Sequence, residues 1–109
     1  MDTQEKIHDL VTSNPVVLFM KGTPQFPQCG FSSRAIEILK ACGVKNPVTV
    51  DVLANPDIRQ GVKDYANWPT VPQLYIGGEF MGGSDIMTEM YEAGDLQKCL
   101  EFVAGTSAS

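Results

Sequence analysis

The chain is predicted to be an α/β protein, a four-stranded mixed sheet flanked by helices on both faces, and two observations predict it. The first is a short, wholly apolar run, Val16-Val17-Leu18-Phe19-Met20, of the kind buried on both faces of a sheet. It is followed by a stretch with helical periodicity and then by Val48-Thr49-Val50-Asp51-Val52-Leu53, whose alternation and β-branching mark a second strand. Together these form a βαβ unit, expected to be parallel and right-handed. The second observation is a pair of strand-like runs, Gln73-Leu74-Tyr75-Ile76 and Glu79-Phe80-Met81, separated by Gly77-Gly78, which is a hairpin signal.

Taken in order, Asp2 and Glu5 are a capping pair for a first helix over about residues 3 to 13, with Ile7, Leu10 and Val11 on its apolar face. Asn14-Pro15 ends it. His8, the only histidine, falls inside this helix and reads as a surface or packing residue, so a nucleophile here works without an imidazole base. The first strand covers about 16 to 20. The second helix covers about 30 to 42, with Ala35, Ile36, Leu39 and Cys42 at helical spacing and Gly43 placed as its C-terminal cap. After the second strand, Asn55-Pro56 supplies an N-cap and an N1 proline for a third helix through Ile58, Val62 and Tyr65. Trp68-Pro69-Thr70-Val71-Pro72 excludes helix and leads into the hairpin. Gly82-Gly83-Ser84-Asp85 opens a fourth helix closed by Gly94, and Asp95 caps a last helix carrying Leu96, Leu100 and Val103. Residues from about 104 to 109 are expected to be a flexible tail.

The 109 residues fit one domain, 1 to 109, with 43% hydrophobic and 19% charged residues. No apolar run approaches the roughly 18 residues that span a bilayer. A net charge of -5 argues against general binding to nucleic acid or to anionic membranes. The polar N-terminus shows neither a secretory signal nor a transit peptide, so the expected compartment is the cytoplasm. The three cysteines, 29, 42 and 99, cannot all pair, which suits a reducing environment; Cys42 and Cys99 read as small core residues on helices.

Chemistry concentrates at the junction Lys21-Gly22-Thr23-Pro24-Gln25-Phe26-Pro27-Gln28-Cys29-Gly30-Phe31-Ser32. Cys29 lies at or just before a helix N-terminus, where orphan N–H groups and the macrodipole favour the thiolate. Lys21 adds a second positive charge if the loop folds back. In a dithiol oxidoreductase the second cysteine of C-x-x-C resolves the mixed disulfide, and here that position holds Ser32. A hydroxyl cannot resolve a disulfide, so an intramolecular dithiol cycle across this motif is excluded.

Four blocks in this order and spacing, Lys21-Gly22-Thr23-Pro24, Cys29-Gly30-Phe31-Ser32, Trp68-Pro69-Thr70-Val71-Pro72 and Gly82-Gly83-Ser84-Asp85, resemble the monothiol glutaredoxins of the Cys-Gly-Phe-Ser type, in their short single-domain class. The resemblance covers about residues 7 to 100 and implies a thioredoxin-like (glutaredoxin) fold with a glutathione site. Lys21 and Arg59 would hold the glycine carboxylate, a task for long cations in an acidic protein. Arg59 reads equally as a solvated helix residue without the resemblance, and Lys63, one turn on, reads as surface. Thr70-Val71-Pro72 resembles the family's cis-proline turn, which would offer Val71 N–H and C=O to the cysteine of glutathione. Trp68 would shape the pocket rim. Gly83 and Ser84 would receive the γ-glutamyl carboxylate at a helix N-terminus, and Asp85 its ammonium, alongside a capping role. Many relatives carry cysteine where Ser84 stands.

The resemblance implies a carrier of a [2Fe-2S] cluster in iron-sulfur protein maturation, with Cys29 as the one protein ligand. Cys29 and one glutathione thiol supply two of four sulfurs, so the holo form is expected to be a homodimer bridged by the cluster and the apo form a monomer. The family also suggests a BolA-type partner in place of one protomer, and iron-sulfur acceptor proteins. The alternative is a glutathione-dependent thiol-disulfide oxidoreductase that deglutathionylates proteins, with Cys29 as nucleophile. A third reading is an interaction module whose Cys29 is unused; the coincidence of Lys21, Cys29, Arg59 and the 82–85 block weighs against it.

Overall fold

The computed structural model describes residues 2–107, with side chains described for residues 2–101. Four strands, β1 (Val16–Met20), β2 (Val48–Asp51), β3 (Gln73–Ile76) and β4 (Glu79–Gly82), form one sheet in the order β2-β1-β3-β4. β2 runs parallel to β1, with Val17 opposite Val48 and Met20 opposite Asp51, whereas β3 pairs antiparallel to β1 and β4 antiparallel to β3. The expected four-stranded mixed sheet is therefore present, with β1 and β3 at its centre.

Five helices cover it: α1 (Thr3–Ser13), α2 (Gly30–Ala41), α3 (Pro56–Ala66), α4 (Ser84–Ala93) and α5 (Asp95–Ser107). The pleat of β1 divides the core. Val16, Leu18 and Met20 face Ile36, Leu39, Met87 and Leu96, beneath α2, α4 and α5. Val17 and Phe19 face Ile7, Val11, Val62 and Tyr75, beneath α1 and α3. Each such buried side chain contributes about 1.5–3 kcal/mol relative to exposure, which explains why an apolar run without alternation is a central strand.

Local signals act largely as read. Asp2 Oδ1 accepts the Glu5 N–H at 2.9 Å, and Gly77 and Gly78 both take positive φ in the hairpin turn. His8 is exposed, with Nδ1 3.0 Å from the Tyr65 hydroxyl. Five boundaries or caps differ from expectation. β2 stops at Asp51 and not at 53, because Asp51 Oδ1 accepts the Leu53 N–H at 2.9 Å and turns the chain. α2 stops one residue early, leaving Cys42 as its C-cap. β4 extends through Gly82. Asn55 makes no side-chain cap on α3; its Nδ2 donates instead to Asp51 O at 2.9 Å. α5 continues to Ser107, through the first part of the segment expected as a tail. The Val103 side chain and residues 108–109 lie outside what is described.

Candidate functional site

The residues singled out from the sequence, spread from 21 to 85, meet at the end of the sheet where β1 gives way to α2. A cleft of about 350 Å³ is lined by Lys21, Cys29, Arg59, Thr70, Val71, Pro72, Gly83, Ser84 and Asp85. That volume falls within the roughly 300–1,000 Å³ usual for small-molecule sites. Phe31, Lys63, Trp68, Pro69 and Ile86 complete the lining. Lys63 thus belongs to the cleft, contrary to its reading as a surface residue: one helical turn from Arg59, it shares that residue's face of α3.

Cys29 is the N-cap of α2, with extended φ and ψ of -155° and 138°, and it is half-buried. Burial pushes its thiol up, but four stabilising contacts to the thiolate outweigh that: the N–H groups of Ser32 and Phe31, the Ser32 hydroxyl, and the charge of Lys21. The net direction is below the ordinary thiol value, as expected for a sulfur facing the unpaired N–H groups of a helix start.

Ser32 does more than lack a thiol. It is fully buried, and its Oγ accepts the Lys21 N–H at 3.0 Å. With its oxygen engaged by the Lys21 backbone, the hydroxyl is also among the groups that lower the Cys29 titration, so one side chain serves both the Lys21 corner and the thiol. Reading the motif only for a resolving cysteine misses this role.

The loop before Cys29, from Thr23 to Gln28, folds back as a closed hairpin. Thr23 and Phe26 exchange backbone hydrogen bonds at 3.2 and 3.1 Å, and the Gln28 N–H donates to Lys21 O at 2.9 Å. Gly22 makes the reversal: its φ is +90°, and a Cβ there would meet Phe26 O at 2.5 Å and Gln28 N at 2.7 Å. Its N–H donates to Asp51 Oδ1 at 2.9 Å, so the carboxylate at the end of β2 anchors the Lys21-Gly22 corner. The fold-back on which Lys21's influence depends is therefore in place. Phe26 on this loop and Phe31 in the cleft lining are 74% and 61% exposed.

The facing wall is the 68–72 loop and the start of α4. The Val71-Pro72 bond is cis. Trp68 packs on Phe80 with ring centroids 5.5 Å apart, and its Nε1 is buried with no hydrogen-bond partner among the described residues. Gly83 permits a close approach, since a Cβ there would lie 3.3 Å from Pro72 O and 3.6 Å from Trp68 Nε1. Gly83 is also the N-cap of α4 and offers no side chain to the first-turn N–H groups, which remain available to an anion. Ser84 is buried there, while Asp85 is exposed at the cleft edge.

Cys42 and Cys99 lie elsewhere. Cys42 is buried against the core beneath α2, α4 and α5, and burial pushes its thiol up; Cys99 packs half-buried against the same core. Among the described residues no group of three or more His, Cys, Asp or Glu side chains is placed to hold a metal, and no helix is long and apolar enough to cross a membrane. A thiol with a lowered titration, three cations, a bare helix N-terminus and one carboxylate around a cleft suit a small anionic peptide that also carries an amine and a thiol.

Comparison with known proteins points the same way. The family model described as Glutaredoxin matches residues 16–81. An uncharacterised monothiol glutaredoxin, ycf64-like, of Synechocystis sp. PCC 6803 is 55% identical over 100 residues, 92% of each chain. The solution structure of reduced poplar apo GrxS14 superposes with a TM-score of 0.78 at 50% identity, covering 92% of this chain and 91% of that one. A buckwheat glutaredoxin-glutathione complex superposes with a TM-score of 0.82 at 28% identity, covering 94% and 90%.

Proposed function

Because this chain belongs to the glutaredoxin family, as a monothiol glutaredoxin with a thioredoxin-like fold, we propose that it binds glutathione and carries a [2Fe-2S] cluster as cargo to iron-sulfur acceptor proteins. Glutathione has two carboxylates, an ammonium and a thiol. In this reading Lys21 and Arg59 take the glycine carboxylate, with Lys63 adding charge to the same wall. The Val71 backbone pairs with the central cysteine, the α4 N-terminus at Gly83 and Ser84 takes the γ-glutamyl carboxylate, and Asp85 takes the ammonium. The peptide's sulfur then lies beside Cys29. The buckwheat complex supports glutathione as the ligand class.

One observation carries the cluster reading: among the described residues Cys29 is the only cysteine lining the cleft, and its motif partner Ser32 has no thiol and is engaged by the Lys21 backbone N–H. A tetrathiolate cluster needs four sulfurs. Cys29 and one glutathione supply two, and a second protomer with its own glutathione completes the set, so the loaded form is a homodimer and the empty form a monomer. The family resemblance also suggests a BolA-type protein in place of one protomer. The chemistry belongs in a reducing compartment, the cytoplasm, where the three unpaired cysteines persist as thiols.

The lowered pKa of Cys29 also favours a second reading, deglutathionylation. The Cys29 thiolate attacks the glutathione sulfur of a protein mixed disulfide, the protein thiolate leaves, and a second glutathione thiolate displaces the first as oxidised glutathione. No thiol at Ser32 is required. Anaerobic reconstitution with iron, sulfide and glutathione, on wild type and Cys29→Ser, separates the readings. A glutathione-dependent [2Fe-2S] spectrum on a dimer peak, lost in the variant, supports the carrier. No cluster, with turnover on a glutathionylated protein, moves the protein to the oxidoreductases.

A further inference from the structure

Strand β3 is apolar at Leu74, Tyr75 and Ile76 but opens with a glutamine that is fully buried. A buried primary amide is unfavourable unless both donors and the acceptor are matched. All are matched here. Nε2 donates to Trp68 O at 3.2 Å and to Thr70 O at 3.1 Å, and Oε1 accepts the Tyr75 hydroxyl at 3.1 Å. The orientation of the amide follows from chemistry: two carbonyls must face the NH₂ end, and a hydroxyl must face the oxygen. Burial, with Tyr65 nearby, pushes the Tyr75 hydroxyl up, so it remains a donor across the neutral range.

Both carbonyls belong to the loop that walls the cleft. Pro69 and Pro72 have no N–H, and among the turns and loops of the described residues no backbone N–H donates to Trp68 O or Thr70 O. One side chain therefore satisfies both. The Thr70-Val71 peptide is trans, so its C=O and N–H point in opposite directions. Holding Thr70 O inward against Gln73 turns the Val71 N–H away from the core, and Val71 lines the cleft.

We infer that Gln73 is a positioning residue for glutathione recognition, a buried amide that sets the direction of the Val71 N–H by gripping the carbonyls of Trp68 and Thr70. The inference rests on the glutathione reading above. It explains why a central strand accepts a polar residue where another apolar one would pack, and why the loop holds its place with so few backbone hydrogen bonds.

The test uses the full chain with Gln73→Met, which keeps the volume but removes both donors, and Tyr75→Phe, which removes only the hydroxyl that orients the amide. Trp68, the sole tryptophan, reports the loop by fluorescence, and the Val71 amide reports it by NMR; glutathione titration reports the site. A folded Gln73→Met variant is expected to shift the Val71 amide and the Trp68 emission and to bind glutathione about tenfold more weakly. Its Cys29 alkylation profile with pH should stay that of wild type, because the thiolate is stabilised from α2. Tyr75→Phe should act in the same direction, by about threefold. Unchanged glutathione affinity in a folded Gln73→Met chain overturns the inference, as does weaker binding accompanied by a shifted Cys29 profile, which marks general damage. If Gln73→Met does not fold, Tyr75→Phe decides by the same criteria. Wild type failing to bind glutathione contradicts the glutathione reading itself; the Val71 and Trp68 signals in the variants then still decide whether Gln73 holds the loop.

Discussion

Two thiols sit at the two ends of one helix. Cys29 is the N-cap of α2 and Cys42 its C-cap, and their surroundings push their titrations in opposite directions. At the N-terminus the sulfur meets unpaired N–H groups, a hydroxyl donor and a cation, and these outweigh burial. At the C-terminus burial acts alone. The direction of each titration is thus set by the helix end and the loop folded against it; neither the cysteine by itself nor its burial decides it.

Replacing Cys29 breaks the comparison outright. Cys29→Ser is expected to abolish cluster assembly and to lower alkylation of the native chain at neutral pH by at least about a hundredfold, measured by mass spectrometry of labelled peptides. Ser32→Ala tests the coupling between the ends of the active loop. It removes a hydroxyl that helps to lower the Cys29 titration and orphans the Lys21 N–H, so the Cys29 titration should rise and stability should fall by about 1 kcal/mol in urea unfolding. Lys21→Met removes a smaller contribution. The titration should rise by less than in Ser32→Ala, with the gap to wild type narrowing in high salt.

Stability against pH sharpens the contrast, because the two thiols have opposite linkage. The folded pKa of Cys29 is lowered, so its contribution is present above the unfolded thiol value, roughly 8.5, and is lost as pH falls through the folded value. The folded pKa of Cys42 is raised, so its contribution is present below the unfolded value and is lost as pH rises through the folded one. Cys42→Ala is accordingly expected to flatten the alkaline fall in stability while leaving the Cys29 alkylation profile unchanged, and Cys29→Ser to weaken the rise in stability on approach to that range from below. Urea midpoints between about pH 6 and 10 check both signs.

Much of this arrangement is legible in the sequence because it rests on local rules. The apolar run 16–20, the Gly77-Gly78 turn and the Asp2 cap each specify their element without distant information. Eight of the nine candidate residues sit in short blocks with recognisable chemistry, Arg59 on α3 being the exception, and all nine line one cleft. The supports of the site are a different matter. Asp51 reaches back 29 residues to the Gly22 N–H, Ser32 reaches 11 residues to the Lys21 N–H, and Gln73 grips two carbonyls that only the folded loop brings beneath it. Such side-chain to backbone bonds follow no period and leave no composition signal. Lys63 reads as surface in the sequence because a cation on an amphipathic helix is usually solvated; its place in the cleft follows from how α3 meets the 68–72 loop. Asn55 misled for a related reason, since its amide found the Asp51 carbonyl in preference to the helix it precedes.

The start of α2 and the folded 21–28 loop lower the titration of Cys29, while burial raises that of Cys42 on the same helix. The most direct measurement is alkylation of the native chain as a function of pH, with each cysteine followed separately by mass spectrometry. The expected result is that Cys29 reacts with a midpoint below the ordinary thiol value, while Cys42 stays protected until the chain is unfolded. A Cys29 midpoint at or above that value, or labelling of Cys42 in step with Cys29, would contradict it.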